Sequence, residues 1–277
     1  MVTGEFPLPN FLIIGAERCG TRWLRANLEE HPEVFTPSAS VSYFNSLDRM
    51  RRRGIRGYRQ QFGGWSGEPI VGESSPKYLL PGNDPREVAR RIDANLPDVK
   101  LIAIVREPVE RMYSAVLHHI KRGRLPIDAD LFAMVAHSHP DVDELDLVGA
   151  GRYTANLYPY HAIFGDRLLV LLNDDLRSRP AEVYDAALRH IGARPGFEAS
   201  RLDRVLFSNR RSVRPTGPRL SRQQRRILYM LYRSDVEELE ALIGCDLTAW
   251  DPGPPPFGWE AEVPGIAETV YAETRSD

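Results

Sequence analysis

The chain is poor in the features that would commit it to several common classes. Only two cysteines occur in 277 residues, Cys19 and Cys245, far apart and without metal-ligand spacing. Neither a disulfide framework nor a metal site is expected, and a reducing compartment, the cytoplasm, fits this usage. No uninterrupted apolar run approaches the roughly 18 residues of a membrane-spanning helix. The N-terminus has neither the basic region nor the apolar core of a secretory signal, so no membrane partner is expected. An excess of charge is also missing: 36 basic residues face 38 acidic ones, a net charge of −2, which argues against nucleic acid as a partner. No repeat and no clear linker divides the sequence. A single domain over residues 1–277 is therefore expected, with 1–10 as a leader and 251–277 as a Pro-rich tail.

What is present is more specific. The arginines cluster at Arg49 to Arg56, at Arg201 to Arg225 and near Arg18, so local anion binding is compatible with a neutral total. The stretch Phe11 to Leu28, FLIIGAERCGTRWLRANL, predicts a buried strand, a tight loop from Gly15 to Gly20 and a helix opening at Thr21. A loop ending at a helix N-terminus offers backbone N–H groups and the positive end of the helix dipole to an anion. Arg18 adds a fixed positive charge and Thr21 a hydroxyl. The spacing approaches that of a nucleotide P-loop, but Thr21-Arg22 follows Gly20 where that motif has Lys followed by Ser or Thr. The arrangement suits a phosphate ligand used without a metal.

Along the chain, Val34 to Gly67 is weakly helical and rich in arginine and aromatics. Ile70 to Gly72 reads as a short strand leading into Glu73. Pro85 to Asn95 has the apolar spacing of an amphipathic helix, and Lys100 to Val105 is the apolar run of a central parallel strand. Helices are predicted over Val109 to Lys121, Asp128 to Ala136, Tyr153 to Phe164 and Pro180 to Ile191, the last stopped by Gly192. A surface loop is expected up to Leu147, a strand over Leu168 to Leu172, and a basic loop over Gly196 to Arg219. Ser221 to Ile243 reads as the longest helix, capped by Ser221. Strand, loop and helix alternate, which implies a P-loop-like three-layer α/β fold with a central parallel sheet flanked by helices. Ligands of such sheets bind beyond the strand C-termini, where the glycine loop, Glu73 and Arg106 should converge.

Three strand-end signals then stand together: Gly15-Ala16-Glu17-Arg18-Cys19-Gly20-Thr21-Arg22, Gly72-Glu73-Ser74-Ser75-Pro76, and Arg106-Glu107-Pro108 continuing to Ser114. As a set they resemble the sulfotransferases that use 3′-phosphoadenosine 5′-phosphosulfate (PAPS), most nearly the heparan sulfate type. The likeness extends to Gly151-Arg152-Tyr153, Leu168 to Pro180 and Leu242 to Trp250.

The resemblance implies that Arg18, Cys19, Gly20, Thr21, Arg22 and Trp23 hold the 5′-phosphosulfate, Arg18 standing where the family usually has a catalytic Lys. It implies that Arg106 and Ser114 clamp the 3′-phosphate and that Glu73 is the general base. Ser74 replaces a family Lys, for which Lys77 or the pair His118-His119 could substitute. Tyr153 could stack near the nucleotide or serve as a core residue, and Arg210 and Arg214 fall in the loop the family folds over PAPS. The implied reaction moves a sulfuryl group to a hydroxyl or amine of a carbohydrate or glycosylated small-molecule acceptor, leaving 3′-phosphoadenosine 5′-phosphate (PAP). A small-molecule kinase using Mg-ATP and a non-catalytic adenine-nucleotide-binding protein stand as alternatives.

Overall fold

A computed structural model describes residues 5–204 and 219–273. In order these form β1 (Phe11–Gly15), α1 (Thr21–Leu28), β2 (Val34–Phe35), α2 (Leu47–Arg59), β3 (Ile70–Ser74), α3 (Pro85–Asn95) and β4 (Lys100–Val105). There follow α4 (Pro108–Lys121), α5 (Leu131–Ala136), α6 (Pro140–Glu144), α7 (Tyr153–Phe164), β5 (Leu168–Leu172), α8 (Asp175–Ser178) and α9 (Pro180–Ile191). Beyond residue 218 come α10 (Arg222–Tyr229), α11 (Arg233–Ile243), α12 (Trp259–Glu262) and α13 (Pro264–Glu273). The described residues gather into two compact units, 5–106 with 156–204 and 107–155 with 219–273.

The first unit is built on the apolar runs. Among the described residues the strands form one five-stranded sheet in the order β2-β3-β1-β4-β5, with every pairing parallel. Each residue of β1 is buried, as a strand covered on both faces requires, whereas the edge strand β5 is only partly covered. Phe11 pairs with Gly72 on one side and Lys100 on the other. Gly72 is obligatory there, since a Cβ would stand 2.1 Å from the Phe11 ring. The chain runs from β1 out to β2, returns to β3 beside β1, then crosses to β4 and β5 on the far side. Such a reversal opens a crevice at the strand C-termini. Helix α1 packs against β1 and β3, and α9 against β4 and β5. In α3, Asp84 accepts from the Glu87 N–H and Pro85 starts the helix, while Val88, Ala89 and Ile92 form the buried face that the periodicity predicts.

In the second unit α4 begins at a strong cap. The two carboxylate oxygens of Glu107 accept from the N–H groups of Val109 (2.8 Å) and Glu110 (2.7 Å). Helix α10 packs on α4, with Arg225 paired to Glu110, and α13 packs on α5. Asp235 of α11 accepts from the Thr154 N–H at 3.0 Å, and the Thr154 hydroxyl donates to the Asp235 carbonyl at 2.7 Å.

Several expectations are corrected. Ser221 does cap a helix, through a reciprocal bond with Gln224, but that helix ends at Tyr229 and a second begins at Arg233. Tyr232 leaves helical geometry, at φ −128°, and its buried hydroxyl reaches Met112 Sδ (3.5 Å) and the Val148 carbonyl (3.3 Å). Side-chain burial there outweighs the propensity to continue the helix. The longest described helix is instead α4, with 14 residues. The expected loop before Leu147 holds the short α6, and the Pro-rich tail holds α12 and α13. Strand β3 continues through Ser74 because Glu73 and Ser74 still pair with Leu12 and Ile13, so Glu73 lies inside the strand and not after it.

Candidate active site

The glycine loop joins β1 to α1 in the geometry of an anion cradle. Arg18 has φ 72° and Gly20 φ 109°, both left-handed. Holding a non-glycine residue there costs about 1 kcal/mol, a strain characteristic of ligand-binding loops. Gly20 occupies the N-cap of α1 and has no side chain with which to cap it, which leaves that end open to a ligand. A Cβ at Gly20 would meet Leu176 Cδ2 at 2.8 Å and Asn173 Nδ2 at 3.0 Å. Asn173, the first residue after β5, donates from Nδ2 to the Cys19 carbonyl at 2.7 Å and pins the loop. Trp23 donates from Nε1 to the Leu202 carbonyl at 3.1 Å, and the buried Cys19 thiol points to the Glu17 carbonyl at 3.7 Å. Burial lowers the Arg18 pKa from its ordinary value, Glu17 opposes this, and Arg106 and Arg22 lower it further. Three guanidinium groups therefore crowd one loop, and an anion among them would relieve their repulsion. The residues present fit the phosphate groups of a nucleotide donor.

Glu73 is fully buried. Its Oε1 accepts from the Tyr78 hydroxyl at 2.5 Å and from Ser75 Oγ at 3.4 Å, while Oε2 has no hydrogen-bond partner among the described residues. Among the described residues the Tyr58 hydroxyl is likewise without a hydrogen-bond partner, yet it lies close enough to help lower the carboxyl pKa. Burial prevails and pushes Glu73 up to about 7. Unfolded, the group titrates near its ordinary 4.5. Between those values the folded chain keeps a proton that the unfolded chain has released. The stability tied to this group is complete below pH 4.5 and is lost as the pH rises through about 7.

A comparison with Glu73→Gln isolates this contribution, because Glu107 and Asp235, raised by burial to about 7 and about 6, are common to both proteins. In denaturant unfolding the parent should lose roughly 2–3 kcal/mol relative to the variant between about pH 5 and about pH 8. A difference that does not change with pH would contradict the burial of an ionisable carboxyl.

Beside this strand end lies a cavity of about 410 Å³ whose lining includes Ser40, Ser42, Asn45, Arg49, Arg53 and Lys77, with no acidic residue among the described ones. Arg49 donates to the Val41 and Ser42 carbonyls and holds the rim, whereas the side chains of Arg53 and Lys77 are exposed.

The first unit thus carries Arg18, Cys19, Gly20, Thr21, Arg22, Trp23, Glu73 and Arg106. Ser114 and Tyr153 belong to the second, Tyr153 as a buried ring 6.4 Å from Trp250. His118 and His119 lie in α4 with ring centroids 5.8 Å apart, also in the second unit. Arg210 and Arg214 lie outside the described residues. Sequence reasoning missed Tyr78, Asn173 and the cavity. A polar residue directly after the apolar run of β5 was the one available signal for Asn173.

A family model described as "Sulfotransferase domain" matches residues 8–145, running across both units. The membrane-associated sulfotransferase kil1 of Dictyostelium discoideum is 33% identical over 153 residues, 53% of this chain and 31% of that protein. Heparan sulfate glucosamine 3-O-sulfotransferase 6 of Homo sapiens is 37% identical over 111 residues, 40% of this chain and 30% of its own length. The matches therefore span about a third of these relatives. The crystal structure of a sulfotransferase from Alicyclobacillus acidocaldarius superposes with a TM-score of 0.73 at 26% identity, covering 88% of this chain and 99% of that one. Fold and likeness together define a P-loop-like α/β architecture. The chain belongs to the sulfotransferase family. Among the described residues no helix is long and apolar enough to cross a membrane.

Proposed function

We propose that the protein transfers a sulfuryl group from PAPS to a hydroxyl or amine of an acidic carbohydrate or glycosylated small molecule, with Glu73 as general base. One observation carries this reading: a buried strand carboxyl with one oxygen anchored and the other making no hydrogen bond among the described residues, tied through Ser75 and Ser42 to the rim of a cationic cavity. Bound PAPS would supply the activated sulfuryl group and a phosphate leaving group. Arg18 and the loop through Trp23 would hold the 5′-phosphosulfate and stabilise charge on the departing oxygen, needing mainly alignment and electrostatics. Arg106 would hold the 3′-phosphate. Glu73 Oε2 would take the acceptor proton as the new bond to sulfur forms and the bond to the phosphate oxygen breaks. A pKa of about 7 leaves the carboxyl ionised often enough near neutral pH to act as a base. Arg53 and Lys77 would recognise carboxylate or sulfate groups on the acceptor. Both units would act as one sulfotransferase domain in a reducing cytoplasm, where Cys19 and Cys245 remain thiols.

The test is PAP release from PAPS with a panel of carboxylated, sulfated and neutral sugars. Acidic sugars should be turned over preferentially, and Arg53→Ala or Lys77→Ala should raise their KM about tenfold with kcat unchanged. Equal use of neutral sugars, unaffected by either change, would remove acceptor acidity from the reading. Binding of Mg-ATP in place of PAP would favour a kinase, and PAP binding without transfer to any acceptor would favour a nucleotide-binding protein.

A further inference from the structure

Tyr78 has no role in the reading so far and Ser75 only that of a tie to the cavity rim, yet their hydrogen bonds are unusually determinate. A phenol has one proton to give and lone pairs to accept with. The Tyr78 oxygen accepts from the backbone N–H of Tyr43 at 3.0 Å and of Phe44 at 3.3 Å, so its single proton is directed to Glu73 Oε1. Ser75 repeats the pattern. Its hydroxyl accepts from the Ser42 N–H at 2.8 Å and the Ser40 hydroxyl at 3.4 Å, and donates to the same carboxylate oxygen. Tyr78 is itself fixed, being fully buried with its carbonyl accepting from the Tyr160 hydroxyl at 2.8 Å. The result is an asymmetric carboxyl: among the described residues two donors reach Oε1 and Oε2 makes no hydrogen bond, with the Tyr58 hydroxyl acting on the same group. The same two hydroxyls grip three successive backbone N–H groups, of Ser42, Tyr43 and Phe44, in the segment that rims the cavity.

We propose that Tyr78, assisted by Ser75, is the positioning residue for Glu73: it anchors Oε1, leaves Oε2 to take the proton, and couples the carboxylate to the backbone lining the acceptor cavity. The inference rests on the reading of Glu73 as base. Among the groups that act on this carboxyl, Tyr78 is the foremost of those that favour the charged form, ahead of Ser75 and Tyr58, against the effect of burial.

The experiment is a pH titration of full-length protein labelled with carboxyl-¹³C glutamate, followed by NMR, with the Glu73 signal assigned by its loss in Glu73→Gln. Tyr78→Phe should raise the Glu73 midpoint by about one pH unit, and Ser75→Ala by less. The acid limb of kcat for PAPS with a carboxylated sugar should move the same way, while PAP affinity stays at the parent value. A merely structural tyrosine would lower thermal stability without moving either midpoint. An unmoved titration in folded Tyr78→Phe overturns the proposal, and should that variant not fold, an unmoved titration in Ser75→Ala does so. Near-normal transfer by Glu73→Gln would instead defeat the base reading while leaving the hydrogen-bond coupling measurable, so the two failures are distinguishable.

Discussion

Glu73→Gln is expected to bind PAP as the parent does and to transfer sulfuryl groups roughly 100- to 10,000-fold more slowly, the usual contribution of a positioned general base. The substitution is close to isosteric, so Tyr78 can still donate to Oε1 and the strand pairing of β3 is untouched. The amide that replaces Oε2 accepts no proton, and a loss confined to kcat would locate the residue in the chemical step. Calorimetry with PAP and initial rates with PAPS, run on the same preparation, separate the two terms. Turnover within a few-fold of the parent would remove Glu73 from the mechanism.

The second large effect is expected at Arg106. Arg106→Ala should weaken PAP binding by roughly 10- to 100-fold, the range for losing a charge-assisted hydrogen bond of about 1.5–3 kcal/mol. One term opposes this. Arg106 lowers the Arg18 pKa, so its removal relieves repulsion within the loop and lets Arg18 hold its charge more firmly. The net loss should therefore be specific to the 3′-phosphate: adenosine 5′-phosphate, which lacks it, should bind parent and variant almost equally. An equal loss for both nucleotides would assign Arg106 to the shape of the loop, and no loss for either would place the 3′-phosphate elsewhere.

The parts of this molecule that were legible in the sequence are those set by local physics. Apolar runs gave β1, β4 and β5, amphipathic spacing gave α3, a glycine stop marked the end of α9, and the glycine loop declared its own turn. The misreadings share a cause. Tyr232 breaks a helix to bury its ring and hydroxyl against residues far away in sequence, which no window around it reveals. Glu73 was singled out from the sequence, but its place inside the ladder depends on pairing with Leu12, some sixty residues earlier. Tyr78 reads locally as an ordinary aromatic after a proline turn. Its significance comes from Tyr43 and Phe44, whose N–H groups determine where its proton goes.

The strand order has an evolutionary consequence. Strand β1, with its loop, divides the sheet into two sides. On one side, the connection from β2 to β3 and the turn after β3 supply the cavity lining, and β3 itself supplies Glu73. On the other, the ends of β4 and β5 supply Arg106 and Asn173, which act on the glycine loop. On the proposed reading, insertions and substitutions between residues 36 and 69 would re-specify what is modified without disturbing the groups assigned to the donor. A lineage could diversify its acceptors by rewriting one flank of the sheet while inheriting the other unchanged.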